Sequence, residues 1–412
     1  MTMLDPAMLN PMSPEFRANP YPAYDFLREH MPVLKMPIEG WNLWLCFRHA
    51  DAQTILKDTR FGHQYAKRIH AERDWSWVPP EQLPLVEMQS RWILSQDPPD
   101  HTRLRGLMHK AFTPRVVENL RVDVQTLAND LINVVVKQGG MDVIEDFAYP
   151  LPVMVIMKLI GVPTRDIDAI KMWSRALAAT LDLDTREETY TTGGRVTVEF
   201  SNYLHNLIEE RRAHPGDDLL SNLIAVEEQG DRLTEDEMIA NIMGLLLAGH
   251  ETTMNLIGNG LLALLRHPDQ WALLQAGVKR GDSALTRTAV EELLRYDTPV
   301  QLTTRTTFEP ISLGGVDLPA GVAVAAVVGA ANHDARVFQA PERLDITRAD
   351  NKHLGFGGGI HYCIGAPLAR LEAGIAFETL ARRLPNIALT DAVLSYRETW
   401  TFRGLTTFPV TF

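Results

Sequence analysis

Apolar residues recur along most of this chain at three- and four-residue intervals, the spacing of helices buried on one side, and only short stretches alternate as strands do. The longest helical pattern covers residues 234–266. Thr234-Glu235-Asp236-Glu237 forms a capping box at its start, and Pro268 lies just past its end. At ~1.5 Å per residue it spans about 50 Å, and it is apolar nearly all round, as a core helix must be. A second pattern opens at Pro367, runs through Leu368, Leu371, Ile375, Leu380 and Leu384, and stops before Pro385. Residues 22–30, 50–57, 116–137, 145–160, 164–180, 196–212, 219–228 and 287–296 predict further helices. Residues 32–47 predict a hairpin around Glu39-Gly40, with Trp41, Leu43, Leu45 and Phe47 on one face and Cys46 on the other. Residues 311–318 predict a second hairpin turning at Gly314-Gly315, and 322–328 and 385–412 predict more strands. Two stretches predict loops: 62–94, where Trp75, Trp77, Pro79, Pro80, Pro84 and Trp92 lie among charges, and 181–195, which contains Gly193-Gly194. The expected fold class is mainly α with small β-sheets.

The composition, 45% hydrophobic and 22% charged, describes a soluble globular protein with ample core. A length of 412 residues does not decide between one large domain and several. Lys and Arg number 40 against 52 Asp and Glu, and the net charge of −12 argues against nucleic acid as a partner. Cys46 and Cys363 are the two cysteines, too few for a disulfide framework, an all-cysteine zinc site or a four-thiolate cluster. The first residues contain Pro6, Pro11 and Pro14 and no basic-then-apolar leader, so no signal peptide is expected. No stretch reaches the ~18 consecutive apolar residues of a membrane span. A cytoplasmic protein without a membrane anchor is therefore expected.

The chemistry concentrates in His353-Leu354-Gly355-Phe356-Gly357-Gly358-Gly359-Ile360-His361-Tyr362-Cys363-Ile364-Gly365. The glycines let this backbone press against something flat, and Cys363 sits at or just before a helix N-terminus, where a thiolate is favoured. Such a thiolate can be a nucleophile, a packed thiol or a metal ligand; a partnered base for the first is not evident. In the middle of the long helix, Ala248-Gly249-His250-Glu251-Thr252-Thr253 buries an acid and hydroxyls, which costs free energy unless something uses them. The bland alternative is a glycine-loosened helix whose Thr bonds back to the preceding turn. Asp97-Pro98-Pro99-Asp100 opens a helix that carries His101 and Arg105 on one face. Glu292 and Arg295 form an E-x-x-R pair that any helix surface can show.

Phe356 to Gly365 resembles, position by position, the haem-ligand loop of the cytochrome P450 family. The resemblance implies heme b (iron protoporphyrin IX) held axially by the Cys363 thiolate, which favours O–O cleavage, with Phe356, Gly357, His361 and Gly365, and Ala248 and Gly249 of the long helix, as further cofactor-binding residues. The Asp97–Arg105 string is similar to the family helix whose His and Arg bind the propionates, here His101 and Arg105, with Arg305 in the strand-like 300–307 as a further partner. Ala248-Gly249 resembles the oxygen-binding groove, followed by the acid–alcohol pair Glu251 and Thr252. Glu292, Arg295 and Arg343 resemble a buried ion triad, and 403–410 a terminal hairpin with Thr401 or Phe402 at the pocket roof. The fold implied is one cytochrome P450 domain over 1–412, with haem between the long helix and the Cys363 loop.

The implied activity is monooxygenation of a hydrophobic small molecule with O2, by a monomer. Electrons are expected from a separate ferredoxin or flavodoxin with its reductase. Leu94, Leu245, Ala248, Leu302 and Phe402 are the expected substrate contacts. Arg103, His109, Lys110, Lys352, His353 and Arg370 form an expected basic patch for an acidic electron carrier. An H2O2-driven peroxygenase of the same fold and a noncatalytic haem protein are the alternatives, against which Glu251-Thr252 argues.

Overall fold

The long apolar pattern folds as one helix, Glu235–Arg266. Thr234 caps it: the Glu237 N–H donates to the Thr234 hydroxyl at 3.2 Å, and the Thr234 N–H donates to the Glu237 carboxylate at 3.1 Å. Pro268, the stop signal of that helix, is also the first residue of the next, Pro268–Arg280, which the sequence pattern above leaves out. The computed structural model describes residues 10–36, 42–63, 76, 78–109, 112–182, 186–228 and 233–412. Glu39, Gly40, Trp41, Trp75, Trp77 and Lys110 lie outside the described residues.

The chain divides into two compact units, and the division falls inside the long helix. The described residues of Met1–Phe61, Arg121–Leu151 and Thr252–Phe412 form one unit; those of Gly62–Leu120 and Pro152–Glu251 form the other. Among the described helices, none is long and apolar enough to cross a membrane.

A five-stranded sheet is built from β1 (Val33–Lys35), β2 (Leu43–Cys46), β3 (Phe61–Gly62), β4 (Thr303–Thr307) and β5 (Ala323–Ala326), in the order β1-β2-β5-β4-β3. β1 and β2 pair antiparallel with Val33 opposite Cys46, so the 32–47 pattern does form paired strands. β2 lies parallel to β5, and β4 antiparallel to it. Cys46 sinks into the core beneath this sheet with Ile55, Val324 and Leu354, and burial pushes its thiol up, away from reactivity. The 311–318 hairpin forms as its glycine pair predicts. The C-terminal stretch differs from expectation. Leu405 bridges Tyr396, whereas Pro409–Thr411 pairs with Ala388–Leu389 and with Gly140–Asp142, so 403–405 and 408–410 do not pair as a hairpin. The backbone of 403–404 pairs elsewhere: the Arg403 N–H donates to the Pro299 carbonyl at 2.7 Å, and the Gly404 carbonyl accepts from the Arg397 N–H at 2.9 Å.

Both predicted loops of the second unit contain helix. Leu83–Arg91 is helical, and Glu187–Ala213 runs unbroken through Gly193-Gly194. Close packing overrides the glycine signal there: a Cβ at Gly194 would lie 1.9 Å from the Glu81 carbonyl oxygen. The two glycines admit the 79–91 segment against the helix rather than ending it.

Candidate active site

In the first unit the Cys363 loop is a series of tight turns that end at a helix. The Cys363 N–H donates to the Phe356 carbonyl at 2.9 Å, closing the loop on itself, and Gly365 precedes the helix Ala366–Arg383. Gly359 has φ +62°, and a Cβ there would lie 2.4 Å from the Leu56 carbonyl oxygen, so only glycine suits the position. Cys363 is exposed, in contrast to Cys46. A Cβ at Gly365 would meet no atom but the Cys363 sulfur, 3.9 Å away. Phe356 is buried, His361 half-buried and Gly357 has φ +71°.

The long helix shows a narrow accessible stripe in a buried surround. Ala248 is exposed, and Gly244, Gly249 and Thr252 are half-buried, whereas Leu245, Leu246, Leu247, His250, Glu251 and Thr253 are buried. The spacing 244, 248, 249, 252 is one helix face, made almost wholly of small residues. Gly249 has a packing reason of its own, because a Cβ there would approach Ile156 to 2.8 Å. Glu251 is buried, with 3% exposure.

His101 lies in the helix Asp100–His109 and is buried, with Arg105 one turn further on and half-buried. Arg305 on β4 is buried, and its Nη1 donates to the Thr304 carbonyl at 2.7 Å. Glu292 and Arg295 form a bidentate pair, both distances 2.8 Å, with neither side chain exposed to solvent. The third member is Arg348, not Arg343. Arg348 Nε donates to Glu292 at 3.0 Å, and Asn351 and the Asp345 N–H complete the carboxylate's shell. Arg343 is exposed and lends only its backbone carbonyl, which accepts from Arg295 at 3.1 Å. The chain turns at Ala340–Arg343 so that the 343 carbonyl, rather than its side chain, faces inward.

The expected pocket residues separate by exposure: Leu94 is 47% exposed, Leu245 and Leu302 are buried, and Phe402 is half-buried, bridged to Val300. The basic patch is weaker than expected. Arg103 pairs with Glu237 at 2.6 Å, Lys352 with Asp350 at 3.2 Å, and Arg370 and His353 both with Glu291. One buried acid escaped notice. Glu372 is 0% exposed, and burial holds its carboxyl well above the usual range, opposed only by the nearby Thr253 hydroxyl. Its position between Leu368, Leu371 and Ile375 on the apolar face was a legible signal of that burial.

A family profile described as "Cytochrome P450" matches residues 172–385. The chain is 41% identical to "Cytochrome P450 CYP107DY1" of Priestia megaterium, over 97% of this chain and 98% of the relative. It is 40% identical to "Vitamin D(3) 25-hydroxylase" of Pseudonocardia autotrophica, over 96% of this chain and 94% of the relative. Among solved structures, P450BioI in complex with a hexadec-9Z-enoic acid ligated acyl carrier protein matches with a TM-score of 0.88 at 39% identity. That match covers 97% of this chain and 99% of the other. The chain belongs to the cytochrome P450 family. It is a haem-dependent monooxygenase. Its residues fit the cofactor: the Cys363 sulfur is accessible on a glycine-turned loop, and the small-residue stripe leaves the long helix open on one face.

Proposed function

We propose that Cys363 is the axial ligand and that this monooxygenase hydroxylates or epoxidises a hydrophobic small molecule. The observation that carries this reading is the stripe of Ala248, Gly249 and Thr252 on an otherwise buried helix. When bound, haem supplies O2 activation with two electrons and two protons, one oxygen atom going to substrate and the other to water. The residues supply the rest. His101, Arg105 and Arg305 are cations or donors of the kind that buried propionates require. The Thr252 hydroxyl, at the accessible face, both accepts and donates a hydrogen bond. Glu251 lies about 100° further round the helix, placed to move protons inward rather than to touch oxygen. Leu94, Leu245, Leu302 and Phe402 offer an apolar lining.

A ferredoxin or flavodoxin with its reductase is the proposed electron source, and the cytoplasm the proposed location. Residues 1–412 act as one catalytic domain in this reading, supported by the helix that runs unbroken through the division of the two units. The hexadec-9Z-enoic acid ligated acyl carrier protein in the P450BioI complex and the name of the vitamin D(3) 25-hydroxylase suggest fatty-acyl compounds and vitamin D(3) for a first substrate panel. Incubation with labelled O2, a ferredoxin and its reductase should place one labelled oxygen in the product. Product from H2O2 alone, with none from O2 and reductant, would favour the peroxygenase reading instead.

A further inference from the structure

The segment before Cys363 and the helix after it meet at one carboxylate. Glu291, on the helix Ser283–Tyr296, accepts a fork from Arg370: Nε at 2.6 Å and Nη2 at 2.9 Å. The remaining nitrogen of that guanidinium, Nη1, donates to the Tyr362 hydroxyl at 3.2 Å. The guanidinium carbon also lies 4.4 Å from the Phe356 ring centroid, a cation–π contact. On the other side, His353 Nδ1 accepts the Gly355 N–H at 3.1 Å, which leaves the proton of a neutral ring on Nε2, 3.0 Å from Glu291. Glu291 thus reaches the loop at residues 353 and 355 through His353, and at 356 and 362 through Arg370. The Phe356 carbonyl in turn receives the Cys363 N–H.

We propose that Glu291, Arg370 and His353 are positioning residues that clamp the Cys363 loop and hold the sulfur and its backbone N–H in place, a role that rests on Cys363 being the haem ligand. Stability alone is a poor reason for this arrangement. The Arg370 and Glu291 side chains are 36% and 27% exposed, and ion pairs in such places contribute little to folding. What distinguishes this one is geometry: a bidentate fork, a ring stack and two loop hydrogen bonds converge on a stretch of turns with no regular ladder of its own. Burial alone would raise the Glu291 carboxyl, yet Arg370 and His353 bring it down to about 2, so the clamp stays charged at neutral pH.

Lysine at 370 keeps the charge but loses the fork and the planar stack. The experiment uses the haem-loaded protein with Arg370→Lys, Arg370→Gln and Glu291→Gln. Two quantities are read: amide exchange at Cys363, and the rate at which the reduced CO complex loses its thiolate absorption in mild urea. Both Arg370 variants should raise both rates about tenfold, Glu291→Gln should do the same or less, and the global urea midpoint should stay at the wild-type value. Wild-type rates in Arg370→Lys would overturn the clamp in favour of a simple charge effect. A fall in the global midpoint that accounts for the faster rates would overturn it in favour of a general brace. Absence of the thiolate absorption in the wild type would sink the ligand assignment instead; the amide exchange, which needs no haem, would still decide the clamp.

Discussion

On the long helix Thr252 is half-buried and its neighbour Glu251 is buried. In the proposed reading the two do different work, so their variants should fail differently. Thr252→Ala should consume reductant at a near-normal rate while product falls and H2O2 rises, read by the ratio of product to electrons. Glu251→Gln should slow turnover as a whole and enlarge the solvent isotope effect, with less peroxide. A product-to-electron ratio unchanged in both would contradict the assignment. Glu372 makes a separate claim about stability. Its folded carboxyl holds a proton above the pH where the unfolded one, near 4.5, has lost it. Over that window the folded state binds more protons, so this group lowers stability as pH rises, by roughly 1.4 kcal/mol per pH unit at most. Glu372→Gln should remove that decline, and denaturant midpoints between pH 5 and 8 would show it. A slope equal to wild type would mean that Glu372 ionises in the fold. Candidate residues stand out in the sequence where type and motif coincide, as at Cys363 or Thr252. Glu372 was passed over because its helix was read for its leucines alone, and Arg348 because no spacing rule chooses among the arginines that follow an E-x-x-R pair.

Among the elements, helices and hairpins with strong end signals were legible: Thr234 and Glu237 for the long helix, Gly314-Gly315 for the second hairpin. The helices at 83–91 and 187–195 are hidden in the sequence for one reason: Gly and Pro, ordinarily helix breakers, stand where neighbours demand a small residue or a helix accepts an N-terminal proline. Gly194→Ala tests this directly. Alanine favours a helix by ~1 kcal/mol over glycine, yet the added Cβ meets a backbone oxygen, and overpacking of this kind costs about 1–3 kcal/mol. The variant should lose net stability and exchange amides faster at 80–91 while the 187–213 helix stays protected. Faster exchange within the helix instead would show that the glycines serve the helix itself. The helix Ser283–Tyr296 holds the other element-scale prediction. Glu292→Ala leaves Arg295 and Arg348 without their shared carboxylate, at about 3–5 kcal/mol for a broken buried pair. Folded, haem-loaded protein should be scarce. Arg343→Ala removes only an exposed side chain and should yield normally; a reversal of the two yields would restore Arg343 to the ion network.

For the whole molecule, the mainly helical fold follows from periodicity, and the family follows from one loop whose glycines, histidine and cysteine each have a place. The division into two units was not legible, because the helix that passes from one into the other has an uninterrupted apolar pattern. Charge at this scale also misled. Six scattered Arg, Lys and His residues suggested a basic face, but carboxylates that the sequence does not place beside them pair with several, such as Glu237 with Arg103 and Glu291 with Arg370. The central claim is that Cys363 ligates the iron as a thiolate. The absorption spectrum of the reduced CO complex tests it most directly, in the wild type, Cys363→His and Cys46→Ala. The wild type and Cys46→Ala should show the strongly red-shifted band of thiolate ligation, and Cys363→His should lose it even where haem is retained. An unchanged band in Cys363→His would contradict the account.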